Sequence, residues 1–160
     1  MKRMLLMLVL MSTIPLIGCN FIEENKAKNV AKTYYHALMD EDYEKAFEQL
    51  YLYDHTEENH PADGTTLSEE EAEKFYMKKV DYIKEQDYKV KGFDIENIRY
   101  EDGHTFFLEM ILQVEQDGEN FERSETVDIW EGQAWIIEED DPFSSYRDGN
   151  MSVEIEKVLE

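Results

Sequence analysis

The sequence predicts an α+β fold in which N-terminal helices pack on a curved four-stranded antiparallel meander. Three observations predict it. Apolar residues recur at helical spacing between Lys26 and Gln86, the period then changes to two, and tight-turn signals divide the second half of the chain. The sheet this implies has one apolar face, which needs a cover, and the striped helices are the only candidates for it.

Composition bounds the rest. A chain of 160 residues suits one domain of ordinary size, and 42% hydrophobic with 12% aromatic residues is enough to build a core. With 38 acidic residues against 16 basic, a formal charge of -22 repels a phosphate backbone, so nucleic-acid binding is excluded as a function class.

The chain begins with a positive start, Lys2 and Arg3, followed by an apolar run from Met4 to Ile14 interrupted only by Ser12 and Thr13. That is the pattern of a secretory signal; it is short for a membrane span of roughly 20 residues, and Pro15 breaks it. Leu16-Ile17-Gly18-Cys19 then resembles the bacterial lipobox. The resemblance implies a lipoprotein signal peptide over 1–18, cleavage between Gly18 and Cys19, and a diacylglyceryl group carrying fatty acids such as palmitate on the Cys19 thiol. It places the protein at the extracytoplasmic face of the bacterial cell membrane, with membrane lipid as a partner through Cys19. Two acyl chains make such an anchor stable. Cys19 is the one cysteine in the chain, so lipidation leaves no thiol for redox or nucleophilic chemistry. Cleavage also removes Lys2 and Arg3, leaving 14 basic residues against 38 acidic and a formal charge of -24. An anionic leaflet repels so acidic a body, and residues 19–25 read as a lipidated N-terminus and short polar linker.

The domain proper is expected over 26–141. Ala27, Val30, Ala31, Tyr34 and Leu38 form one helical face, and Asp40-Glu41-Asp42 supplies caps for a second helix carrying Tyr43, Ala46, Phe47, Leu50 and Tyr51. Asp54 to Thr66, with Pro61 and Gly64, reads as a loop. Ser68 and Glu71 make a capping box for a third helix whose stripe is Ala72, Phe75, Tyr76, Val80 and Ile83.

Tyr88 to Tyr100 is expected as a strand with a bulge or bend at Gly92, where the alternation changes phase. Asp102-Gly103 signals a turn, and in the next strand Phe106, Leu108, Met110, Leu112 and Val114 point to the core. Asp117-Gly118 gives a second turn, Phe121 to Trp130 a third strand, Gly132-Gln133 a third turn and Ala134 to Glu139 a fourth strand. The tail over 142–160 alternates at Met151, Val153 and Ile155, then loses phase at Val158-Leu159; it adds a further strand or lies over the sheet.

Ala37-Leu38 followed by Asp42-Tyr43-Glu44-Lys45-Ala46, and Gly132 followed by Trp135 and Ile137, resemble the nuclear transport factor 2-like superfamily. The first looks like that family's first helix turning into its second. The other looks like its Gly-x-Trp-x-Ile last strand, with one extra residue between Gly and Trp. The resemblance implies a cone-shaped domain but does not fix a function. Related enzymes of this fold move a proton inside the cone with an Asp and His pair or a Tyr and Asp pair, so a small-molecule isomerase or dehydratase is the alternative to a non-catalytic binding module.

Candidate chemistry is sparse. His55 and His60 share a loop with Asp54, Glu57, Glu58 and Asp63, but the spacing matches no zinc motif and solvated loop residues are the simpler reading. The acidic runs Glu69 to Glu71 and Glu138 to Asp141 lack EF-hand spacing. No phosphate-cradling glycine loop is present, and no cofactor or metal is implied. His36 sits one residue off its helix stripe. No carboxylate lies on the apolar face from Phe106 to Val114, and Glu125 and Asp128 on the third strand are expected to face solvent, so no catalytic residue is assigned. The aromatics have most room for function. With Gly132-Gln133 as the turn, Trp130 and Trp135 become direct cross-strand partners, sharing a face either with Phe107 or with the core. Packing explains such a pair, and so does a recognition surface. Tyr34, Tyr76, Trp130 and Trp135 are the candidate surface for an extracytoplasmic protein or small ligand.

Overall fold

The computed structural model describes residues 18–56, 60–101 and 105–155. Residues 1–17 of the expected signal peptide, the expected turn at Asp102-Gly103 and the last residues of the tail lie outside the described residues. The architecture is α+β: helices precede a four-stranded antiparallel sheet of order β1-β2-β3-β4, with β1 Lys89–Glu101, β2 Thr105–Gln116, β3 Glu119–Trp130 and β4 Gln133–Glu139. Among the described residues no helix is long and apolar enough to cross a membrane.

Helix α1 spans Gly18–Met39 and therefore runs through the stretch expected as a linker, where a Glu24–Lys28 ion pair one turn apart supports it. Its stripe lies against all four strands, with Ala27, Ala31, Tyr34 and Leu38 buried. Helix α2, Tyr43–Phe47, starts where Asp42 accepts a hydrogen bond from the Lys45 N–H. It stops earlier than its apolar spacing predicts, because Leu50 is drawn into a parallel bridge with Ala134. The Tyr51 N–H donates to the Ala134 carbonyl at 3.0 Å, and the Ala134 N–H donates to the Gln49 carbonyl at 2.7 Å. Leu50 to Tyr53 thus straps the open edge of β4. Helix α3, Glu69–Glu85, carries the reciprocal Ser68–Glu71 capping box. It packs against α2 and against α4, Ser144–Arg147, and contributes Ala72, Tyr76, Val80 and Ile83 to the core.

The core face of β2 is the expected one: Leu108, Met110 and Leu112 are fully buried. Strand β1 matches it only by slipping phase twice, between Val90 and Gly92 and again between Ile95 and Asn97. Gly92 marks the first slip. The second is visible in the spacing of Phe93, Ile95, Ile98 and Tyr100. The turn after β2 is Asp117-Gly118, both with positive φ (52° and 78°), as a two-residue hairpin requires.

The turn after β3 is Glu131-Gly132, not Gly132-Gln133. Both of its residues have positive φ (52° and 85°), and Trp130 pairs with Gln133. Glycine occupies the second turn position, so the register moves by one residue from the expectation.

The tail adds no strand to the sheet among the described residues. It turns through α4, and Asn150 bridges Tyr53 on the outer side of the strap. The two backbones approach so closely that a Cβ on Gly149 would lie 1.8 Å from the Tyr51 carbonyl oxygen.

Candidate functional site

Two groups of polar and aromatic side chains stand out, one on each face of the sheet. The first fills the space between helices and sheet. On the core face of β3 the alternation Phe121, Arg123, Glu125, Val127 brings a carboxylate opposite Met110. Glu125 is buried there, contrary to the expectation that it faces solvent. It is neutralised by Arg147, the last residue of α4, which is also fully buried. The Arg147 guanidinium donates to both Glu125 oxygens, at 3.1 and 2.5 Å, and to Asp141 at 2.8 Å. Such a fork-to-carboxylate geometry is strong and directional.

Tyrosines close the network. The Tyr35 hydroxyl donates to Glu125, the Tyr88 hydroxyl donates to Asp141, and the Tyr34 hydroxyl donates to the Arg147 carbonyl at 2.7 Å. Burial pushes the Tyr34 and Tyr35 hydroxyls well above the ordinary tyrosine range, so both remain proton donors. Burial works against the Asp141 carboxylate, yet the Arg147 charge and hydrogen bonds from Tyr88, Arg147 and the Phe143 N–H hold it below its ordinary value.

A second buried pair pins the end of the tail. Lys79 on α3 donates to the Asp148 carboxylate and carbonyl, each at 2.9 Å, and to the Asn150 carbonyl at 2.8 Å. The Tyr53 hydroxyl also donates to Asp148, at 3.0 Å. The chain's own C-terminal segment therefore fills the space between helices and sheet and is tied to helix, sheet and strap.

The outer sheet face carries the second group. Pairing places Phe107, Asp128 and Trp135 in line across β2, β3 and β4, with Trp130 two residues along from Asp128. Trp130 and Trp135 are diagonal neighbours rather than direct partners, because the turn sits one residue earlier than expected. Their rings still meet edge to face, 6.2 Å apart and 77° between planes. Trp135 also packs on Tyr51 and Tyr53 of the strap, at 5.3 and 5.7 Å.

Asp128 lies among these rings only 5% exposed, and its Oδ1 atom is buried without a hydrogen-bond partner. Desolvation raises its pKa to about 6. The expectation that Asp128 faces water was right about the sheet face and wrong about the environment, since Asp128 is buried on that face.

Comparison of the chain with protein-family models and with curated protein sequences gives no match.

Of the candidate aromatics, Tyr34 and Tyr76 are fully buried in the core and offer no ring to a partner, whereas Trp130 and Trp135 are half-exposed. His36 is exposed on α1, its ring set at a steep angle to Phe93 at 5.0 Å, so it does not enter the space between helices and sheet. His60 caps the short 3-10 turn Pro61–Asp63, and the His55 N–H donates to Ser152 at 2.8 Å. Among the described residues no three His, Cys, Asp or Glu side chains gather as a metal site.

Arg147 had no signature in the sequence, because its partners lie 22 and 6 residues away in unrelated elements. Glu125 did have one: it shares the phase of Val127, which is fully buried.

Proposed function

We propose that this chain is a lipid-anchored extracytoplasmic domain of the nuclear transport factor 2-like kind that binds a partner or small ligand and does not catalyse a reaction. The observation that carries this reading is the occupied cone. An isomerase or dehydratase of this fold needs a base in that interior that is free to take a proton from a substrate. Here Glu125 has both oxygens engaged by Arg147, and one of them also accepts from Tyr35. A substrate would have to displace a salt-bridged segment of the protein's own chain. The outer face, by contrast, presents half-exposed indole rings beside a carboxylate, on a protein of high negative charge. Rigid aromatic groups of this kind dominate recognition surfaces. Acylation at Cys19 would hold this face outside the membrane.

The test is crosslinking in intact cells with mass spectrometry of the adducts, comparing wild type with a folded Trp130→Ser/Trp135→Ser variant. A discrete adduct lost in the variant supports the reading. Turnover of a small carbonyl compound by the purified chain, abolished in Glu125→Gln, would overturn it.

A further inference from the structure

The outer-face cluster combines features that core packing alone does not explain. A carboxylate oxygen buried without a donor, as Asp128 Oδ1 is, costs stability, and an aromatic cluster kept only for packing would be better served by an apolar residue at position 128. The arginine in line with it across the same face, on β1 beside Phe107, is already engaged. Arg99 lies over the Phe107 ring at 5.3 Å and donates to Glu101 at 2.7 Å and to Glu109 at 3.0 Å. The missing partner of Asp128 is therefore a cation from outside the chain.

The surroundings select the kind of cation. A metal ion demands several oxygen or nitrogen ligands, and here one carboxylate stands among rings. A cation whose charge is spread over methyl groups is weakly hydrated, gains from the negative faces of indoles, and needs no further hydrogen-bond acceptors. Trp130 and Trp135 meet edge to face at 77°, and the register sets Trp135 directly across from Asp128 with Trp130 two residues along the same face. Farther along the same face lies a cleft of about 360 Å³ whose lining includes Glu96, Glu109, Glu139 and Asp140, and this negative charge concentrates cations over the face.

We propose that Asp128, Trp130 and Trp135 form a binding site for a quaternary ammonium group. The proposal rests on the binding reading given above, and supplies the ligand class for the same face.

These residues include both tryptophans of the chain, so intrinsic fluorescence reports the site directly. The experiment titrates the full chain, in maltoside micelles at constant ionic strength, with choline chloride and separately with its neutral isostere 3,3-dimethylbutan-1-ol. The expected result is a saturable change with choline, and binding about tenfold or more weaker for the isostere and for Asp128→Asn, the scale of a cation–π and ion-pair contribution. Equal responses to choline and isostere, or a change that never saturates, overturn the proposal. So does an Asp128→Asn variant, folded by circular dichroism, that binds choline as wild type does. Should that variant not fold, the comparison of choline with isostere on wild type decides alone. Competition with monomeric dihexanoyl phosphatidylcholine separates sources: displacement at lower concentration than free choline assigns the group to a lipid headgroup, and the reverse order assigns it to a free solute. Loss of choline binding alongside a persistent Trp-dependent adduct in cells would refute this inference and leave the binding reading standing.

Discussion

Replacing Arg147 with Met keeps an unbranched apolar stem and removes the guanidinium with its charge, which makes it the sharpest perturbation of the space between helices and sheet. The change deletes five hydrogen bonds, to Tyr88, Asp141 and Glu125, and leaves two buried carboxylates without their counter-charge. Breaking a buried ion pair from one side costs about 3 to 5 kcal/mol, a large part of a domain stability of about 5 to 15. With a urea m-value of about 2 kcal/mol/M, the unfolding midpoint should fall by about 2 M, followed by tryptophan fluorescence. The pH dependence should change as well. In wild type Asp141 is held below its ordinary value of 3.8, so its contribution is present above that pH and is lost as pH falls through the folded value. In Arg147→Met the stranded carboxylates reverse the slope, and the variant should gain stability on mild acidification. A midpoint within about 0.5 M of wild type, with unchanged pH dependence, would show instead that water reaches the network and that Arg147 is not its only counter-charge.

Asp128→Asn should act in the opposite sense. The wild-type carboxyl is raised from 3.8 to about 6, so its ionisation costs nothing below pH 3.8, costs more as pH rises to about 6, and stays costly above. The full cost is about 3 kcal/mol, and the variant should be more stable than wild type by up to that amount at pH 8 and equal to it near pH 3. Urea titrations at the two pH values check this, and equal differences at both would contradict it. Met110→Asp should unfold the domain, since Met110 is 1% exposed and an unpaired buried carboxylate costs several kcal/mol; unchanged thermal unfolding would reverse the assignment of sheet faces. Gly149→Val should destabilise by several kcal/mol because a Cβ there meets the strap backbone at 1.8 Å; a wild-type melting temperature would show that the tail sits elsewhere. Cys19→Ala should abolish fatty-acid labelling and processing of the precursor, and labelling as strong as wild type would remove the anchor.

The helices and strands were legible in the sequence because their signals are local. The capping box at Ser68, the stripe from Ala27 to Leu38 and the alternation from Phe106 to Val114 each read correctly from neighbouring residues. What was illegible depends on contacts between distant segments. The second helix ends early because β4 needs an edge partner, a requirement that the Tyr43 to Tyr51 spacing does not record. The third turn was misplaced by one residue because Glu131 adopts a positive φ that a non-glycine rarely takes. That single step separates a direct Trp pair from the diagonal one observed. The buried ions lie at the far end of this scale. Arg147 looks like a solvated charge in a polar tail until Glu125 and Asp141 are brought to it by the fold. Half of the candidate surface failed for the same reason: Tyr34 and Tyr76 satisfy a helical stripe, and the stripe is core.

Arg147 closes the space between helices and sheet by pairing with Glu125 and Asp141 there. Nuclear magnetic resonance of the arginine Nε–H groups tests this closure most directly, with Arg147 assigned by its loss in Arg147→Lys. A closed interior should give a displaced Arg147 signal that exchanges slowly with water and shows cross-relaxation to the Tyr88 ring, whose hydroxyl lies 3.2 Å from that nitrogen. An Arg147 signal at the position of a free arginine, exchanging rapidly with water and without contact to Tyr88, would contradict the claim and reopen the interior as a site.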